Sequence, residues 1–405
     1  MPSLLIDHIG TLATPAGAAP SRGADLARVD VIEDAAIAVV DGKIAAAGRR
    51  EQVLDGHGDL PLYDAEGRAA IPGLVDCHTH AVFGGDRAGE FDLRAQGVAY
   101  EQIHAAGGGI AASVTATRAA AAEGQLPGIL ERHLGWMAAG GTTTAEVKSG
   151  YGLDRDAELA MLRAAAAPHA IEVSPTFLGA HAVGPEWDDA DAYLDFVIDE
   201  VLPEASGLAE AADVFLERGA FDRAQAARYL RAAAAHGLAL RLHADQFSEA
   251  GGVDVAVELA ARSVDHLEAT GPAGVEALAS SDVAAVMLPA CVVTLDLPRP
   301  PARALADRGA IVALATDFNP GSAFCQSMPL VMSLACTLLR MSPAEALVAS
   351  TINPAWVLER HDRVGRLAPG YDGDVVLLEA EDWRHVVYHL GGPVVSAAFK
   401  GGRRL

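Results

Sequence analysis

Eight short apolar runs, at residues 73–77, 142–148, 172–178, 213–216, 238–243, 263–265, 283–288 and 311–315, alternate with Ala- and Arg-rich segments such as 222–235 and 252–261. Runs of this length suit buried strands, and the alanine-rich stretches suit helices. Strands that alternate with helices pair in parallel, because each crossover returns the chain to the same end of the sheet. Eight such units predict an α/β fold of the (β/α)8 TIM-barrel type. The competing architecture, an open doubly wound sheet, calls for a Gly-rich phosphate turn after its first strand. Here that place holds His78-Thr79-His80. The run 107–109 is three glycines with no Lys-Ser or Lys-Thr behind it, so it is no phosphate loop and reads as a mobile loop over a site.

The two ends of the chain read differently from the middle. Residues 31–40 and 43–48 are apolar and β-prone, with Asp41-Gly42 between them, a strong hairpin signal. Residues 373–378 and 394–399 repeat the character at the far end. The economical arrangement is a small β-sandwich domain built from both termini, residues 1–68 and 368–405, flanking a barrel over 69–367. A chain of 405 residues has room for both.

Asp and Glu number 54 against 30 Lys and Arg, a formal charge of −24, which argues against nucleic acid and anionic membrane surfaces as partners. Cys77, Cys291, Cys325 and Cys336 show no Cys-x-x-Cys spacing and read as reduced thiols. The first residues lack a charged segment followed by a long apolar one, and no run is long enough to span a bilayer. The expectation is a cytoplasmic enzyme.

In a barrel, chemistry gathers at the C-terminal ends of the strands. His78 and His80, spaced i, i+2 at the end of the first run, project to one side of a strand as a ready pair of metal ligands, although alone they also fit two exposed polar residues at a loop. The second run ends in Lys148 and the third is followed by His181. Glu217 follows the fourth, His243 ends the fifth, His266 and Glu268 follow the sixth, and Asp317 follows the eighth. Each has a bland explanation as a cap or surface group; their joint placement does not. His78, His80, His243 and Asp317 supply a ligand set for one divalent ion, zinc or iron, with room for water. Such an ion acidifies water and polarises a carbonyl. His266 and Asp317 are the natural proton-transfer groups, and His181 is placed to donate to a developing oxyanion. Lys148 is the alternative ligand, bridging two metals after carbamylation.

These residues resemble the amidohydrolase superfamily. The likeness runs from about residue 72 to 370 and rests on Pro72-Gly73-Leu74-Val75-Asp76-Cys77-His78-Thr79-His80, Lys148-Ser149-Gly150-Tyr151-Gly152-Leu153, Leu178-Gly179-Ala180-His181, His243-Ala244-Asp245-Gln246, Asp265-His266-Leu267-Glu268 and Thr316-Asp317-Phe318-Asn319-Pro320-Gly321. Within that family it is similar to the enzymes that open the imidazolone ring in histidine degradation. The resemblance implies hydrolysis of 4-imidazolone-5-propanoate to N-formimidoyl-L-glutamate, a homodimer, and substrate contacts from Arg87, Tyr100, Tyr151, His181, Gln246, Asn319, Gly321 and Ser322. Two departures stand out. Some relatives carry Glu where this chain has Gln246, and an amide cannot serve as a base. Residues 288–295 replace a segment that is usually aromatic-rich.

The substrate's propionate needs a cation, and the planar fork of Arg87 suits a carboxylate; its bland role is a salt bridge to Asp86 or Glu90. The competing functions are a related metal-dependent deaminase or cyclic amidase acting on another small heterocycle, and a catalytically dead barrel used as a scaffold. The retained ligands speak against the scaffold.

Overall fold

The computed structural model describes residues 2–17, 19–98 and 108–405. Two sheets organise it. The first takes strands from both termini: β1 (Leu4–Pro15), β2 (Val29–Val40), β3 (Lys43–Arg49), β4 (Leu62–Asp64) and β5 (Ala70–Pro72). The second is built from β6 (Leu74–Asp76), β7 (Thr142–Lys148), β8 (Glu172–Ala180), β9 (Ala211–Leu216), β10 (Ala239–Ala244), β11 (Ser263–His266), β12 (Ala284–Met287) and β13 (Ile311–Leu314). Then β14 (Val375–Leu378), β15 (Val395–Lys400) and β16 (Arg403–Arg404) return to the first sheet.

The eight central strands pair in parallel in strict chain order from β6 to β13. The sheet closes beyond the ends of its first and last strands. Thr79 bridges Phe318 in parallel, His80 N donates to Phe318 O at 2.9 Å, and Asp317 N donates to His78 O at 3.0 Å. Asp76 fastens the same seam, accepting from the Thr316 amide at 3.1 Å and its hydroxyl at 2.6 Å. All eight expected strands are present, with ends shifted by one or two residues. The helix expected at 222–235 runs over Arg223–Ala235, begun by an Asp222–Gln225 capping box. Aliphatic side chains from the strands and the surrounding helices form one core, with Val214, Leu242, Val264, Val286 and Leu314 all fully buried.

The terminal sheet follows the order β16-β15-β14-β5-β1-β2-β3, with β4 beside β1, so it is one hydrogen-bonded path. Its halves share a core: Ile6, Ile37 and Val39 pack with Val375, Leu377 and Phe399. The hairpin at Asp41-Gly42 is present, with Asp41 at φ 51° and Gly42 at φ 82°. Strand β5 pairs with β14 and β1, which puts Ala70–Pro72 in this sheet, just past the boundary expected at residue 68. The only residue between β5 and the first barrel strand is Gly73. A Cβ there would collide with Thr143 and Asp374, so the crossing between sheets needs glycine.

Candidate active site at the closed end of the barrel

Four imidazoles converge where the central strands end. Ring centroids lie 4.4 Å apart for His78 and His243, 5.4 Å for His78 and His80, and 5.4 Å for His243 and His266. Asp317 Oδ1 is 3.6 Å from Nε2 of both His78 and His80, and the Nε2 atoms of His80 and His243 are 3.2 Å apart. All these side chains are buried. Burial pushes His78 and His80 well below the usual imidazole range and lowers His243, so these rings are neutral.

The tautomers are set from beneath. His243 Nδ1 donates to Asp213 Oδ1 at 3.1 Å, and His78 Nδ1 lies 2.6 Å from Asp265 Oδ2. With protons on Nδ1, the Nε2 lone pairs face each other and Asp317. His78 Nε2 is buried without a hydrogen-bond partner. Converging bare nitrogens beside a carboxylate, each backed by a second carboxylate, are what a divalent cation requires. The residues present fit the ion.

Lys148 takes the opposite of the bridging role considered above. Its Nζ lies 2.6 Å from Asp213 Oδ2, 2.7 Å from Glu146 Oε2 and 3.8 Å from Asp265 Oδ2, fully buried. Burial disfavours its charge, yet Asp213, Glu146 and Asp265 outweigh it and raise the pKa above the usual lysine value. Carbamylation needs a neutral amine, and this one is held protonated. Below it Arg241, also buried, pairs with Glu146 and donates to Thr176 Oγ1 at 2.7 Å. Residue pattern alone missed Glu146, Asp213 and Asp265 as supports; the available signal was a carboxylate inside each of three apolar barrel strands.

Above the imidazoles opens a cavity of about 730 Å³. His80, His243, His266 and Asp317 form its floor, and Arg87, Tyr151, His181, Gln246, Asn319, Gly321 and Ser322 line it. Tyr100 lies outside the described residues, as does Gly107 of the glycine run; the Gly109 amide of that run donates to Glu90 Oε1 at 2.9 Å. Arg87 meets Glu90 only at 3.8 Å and hydrogen-bonds Tyr151, and its Nε has no partner. Gly321 packs so tightly on that guanidinium that any Cβ would overlap it. Arg94 also lines the cavity and donates to Gly321 O at 3.3 Å. The sequence held a signal for it: seven residues past Arg87, it lies two helical turns along the same face.

Two expected roles change. His181 Nδ1 bonds the Gly150 carbonyl at 2.9 Å, and a carbonyl only accepts, so the proton sits on Nδ1. Burial keeps the ring neutral down to about 3. Its Nε2 offers a lone pair to the cavity, an acceptor where a donor was expected. Asn319 donates to Asp317 O and Ser322 Oγ, both at 2.6 Å, and accepts from the amides of Gly321 and Ser322. Its hydrogen-bonding capacity is fully occupied in shaping the loop, so it positions Ser322, whose hydroxyl reaches Asp317 Oδ2 at 3.1 Å, and is not itself free for substrate. Glu217 likewise serves a loop, accepting from the Phe247 and Ser248 amides beside Gln246. The departing segment at 288–295 forms the helix Pro289–Leu295, whose end lines the cavity through Thr294 and Leu295.

A parallel barrel with an imidazole–carboxylate cluster at its functional end defines a hydrolase dependent on a divalent metal. The family model of the amidohydrolase family matches residues 69–405. An imidazolonepropionase of Rubrobacter xylanophilus is 58% identical over 99% of this chain and 98% of its own. That of Deinococcus radiodurans is 45% identical over the full length of both. Among solved structures, guanine deaminase of E. coli superposes with a TM-score of 0.74 at 15% identity, covering 100% of this chain and 98% of its own, a likeness of fold. The chain belongs to the amidohydrolase family, in its imidazolonepropionase branch.

Proposed function

We propose that this protein hydrolyses the cyclic amide of 4-imidazolone-5-propanoate to N-formimidoyl-L-glutamate, a step of histidine degradation. The observation that carries the reading is the meeting, in one cavity, of the imidazole–carboxylate cluster with Arg87. Relatives bearing that activity's name, matched along nearly the whole chain, support it.

His78, His80, His243 and Asp317 would hold one divalent ion, zinc or iron, both of which suit imidazole and carboxylate. When bound, it acidifies water and draws electron density from the amide carbonyl. The chain's residues do the rest. Arg87 pairs with the propionate, and Tyr151 supports its guanidinium. His181 accepts a ring N–H, which fixes the ring's orientation. Gln246, whose amide donates to Cys291 Sγ at 3.4 Å, keeps its carbonyl oxygen for the substrate. Asp317 takes the proton of the attacking water, and His266 returns one to the departing ring nitrogen. We assign the barrel over 69–367 to catalysis and both terminal segments to its support. The same reading places the enzyme in the cytoplasm as a homodimer, checked by fractionation and by sedimentation. No helix among the described residues is long and apolar enough to cross a membrane.

The deciding assay offers the metal-loaded protein 4-imidazolone-5-propanoate and follows formation of N-formimidoyl-L-glutamate. Turnover of that substrate is expected. Silence there, with release of ammonia from an aminated heterocycle, would move the protein to the deaminases.

A further inference from the structure

Next to the four-ligand cluster lies a second group of metal-binding atoms that the proposed reaction does not use in full. Ligand atoms of His266, Glu268 and Cys291 all fall within 4.8 Å of one another, and all three residues are buried. Glu268 Oε1 is 3.6 Å from His266 Nδ1. Both oxygens of Glu268 lack a hydrogen-bond partner, and so does His266 Nδ1, although Glu268 is only 5% exposed. A buried carboxylate with two idle oxygens carries a substantial desolvation cost unless something cationic meets it. His266 supplies part of that, at a distance longer than a hydrogen bond. Cys291 comes from the helix Pro289–Leu295, the segment in which this chain departs from the aromatic-rich pattern, and its thiol carries only the long contact from Gln246 besides His266.

We propose that His266, Glu268 and Cys291 form a second cation subsite, suited to a thiophilic divalent ion, that stops turnover when it is filled. One nitrogen, one oxygen and one sulfur leave a fourth, tetrahedral position for water, the donor mixture that zinc and cobalt accept. Ligands of such an ion stand about 3–4 Å apart, so the present spacing needs only a small contraction. Cys291 lies under Gln246, which lines the cavity, and His266 itself faces the cavity; an ion enters by the route the substrate takes. Binding displaces the thiol proton and the proton on the coordinating imidazole nitrogen, so it strengthens as pH rises. The inhibitory part rests on the proton-transfer role given to His266: a coordinated imidazole cannot deliver a proton. The site itself does not rest on that role.

Cobalt separates the two claims. The four-ligand cluster contains no thiol, so its cobalt complex lacks a thiolate-to-cobalt charge-transfer band in the near ultraviolet, while the second subsite must show one. Metal-free protein titrated with cobalt should bind a first equivalent without the band and a weaker second equivalent with it, as turnover falls. Cys291→Ser should lose the band and raise the cobalt concentration for half-inhibition by at least about tenfold, the least expected when support for a metal is removed. Glu268→Gln should weaken the second equivalent while keeping the first. A wild-type titration with no band at any loading overturns the proposal, as does a band that survives in Cys291→Ser. A band on the second equivalent with undiminished turnover upholds the subsite and overturns the inhibition, together with the role of His266. A band on the first equivalent contradicts the four-ligand assignment instead.

Discussion

The two ends of the barrel carry charge in opposite ways. At the closed, functional end, imidazoles are packed until burial strips their charge, and polar atoms are left without partners: His78 Nε2, His80 Nδ1, Glu268 and Arg87 Nε. At the other end, where β8 begins, Glu172 receives Arg360 at 2.8 Å, Lys400 at 3.2 Å and Arg363 at once, and Lys400 also reaches Asp374 at 2.8 Å. Lys400 belongs to β15, so this cluster ties the terminal sheet to the barrel. Between the ends, Arg241, Glu146, Lys148, Asp213 and Asp265 pass charge up the barrel interior to the imidazoles. The contrast teaches that unmatched polar atoms gather where a ligand is to arrive, and matched ones where the fold must hold.

The sharpest way to break this comparison is to remove what the unmatched atoms await. Exhaustive chelation should abolish turnover while leaving circular dichroism unchanged, and a divalent ion should restore it. Full activity in protein shown by elemental analysis to be metal-free would remove the reason for the cluster. Next in size, His266→Ala should keep the first metal equivalent but lose about 10²–10⁴-fold in kcat, the worth of a placed acid–base group. Near-normal kcat in that variant would leave proton transfer to Asp317 alone. Arg87→Met should cost about 2–4 kcal/mol in kcat/KM, the scale of a buried charge left unpaired. The loss should be much smaller on an analogue without the propionate; equal losses would make Arg87 a structural residue.

The smallest effect belongs to the other end, and it should appear in stability alone. Burial opposes the Glu172 charge, but Arg363, Lys400 and Arg360 outweigh it and hold the carboxyl at about 2, below its ordinary 4.5. A depressed folded pKa gives stability that is complete above about 4.5 and lost as pH falls toward 2, worth about 3 kcal/mol. Glu172→Gln should therefore lower the urea midpoint at pH 7, converge on wild type as pH approaches 2, and leave kcat unaltered. A large loss of kcat would mean the two ends are not separable.

Much of the functional end was legible because its residues sit beside the apolar runs that betray the strands. His78, His80, His243, His266 and Asp317 could be read as strand ends without knowing any contact. The supports were harder: Asp265 meets His78, and Asp213 meets Lys148, across stretches of chain that only the barrel's closure brings together. Loop residues were hardest. Asn319 carries the right groups for substrate, and nothing in the pattern says that its own loop occupies them. The β5 boundary was hidden for a plainer reason: Ala70–Pro72 and Leu74–Asp76 form one apolar run, and only the pairing partners show that Gly73 divides two sheets.

The seam at Thr79 and Phe318 has a consequence for assembly. His78, His80 and Asp317 hang from the first and last strands of the barrel, and the backbone bonds that align them form only when β13 reaches β6. That contact is among the most distant in the chain, so its closure entropy is met late and it forms slowly. A partly folded or still-growing chain can carry most of its helices and three of the four ligands yet grip an ion poorly. Metal capture thereby marks the end of folding, and the ion stabilises only the completed ring.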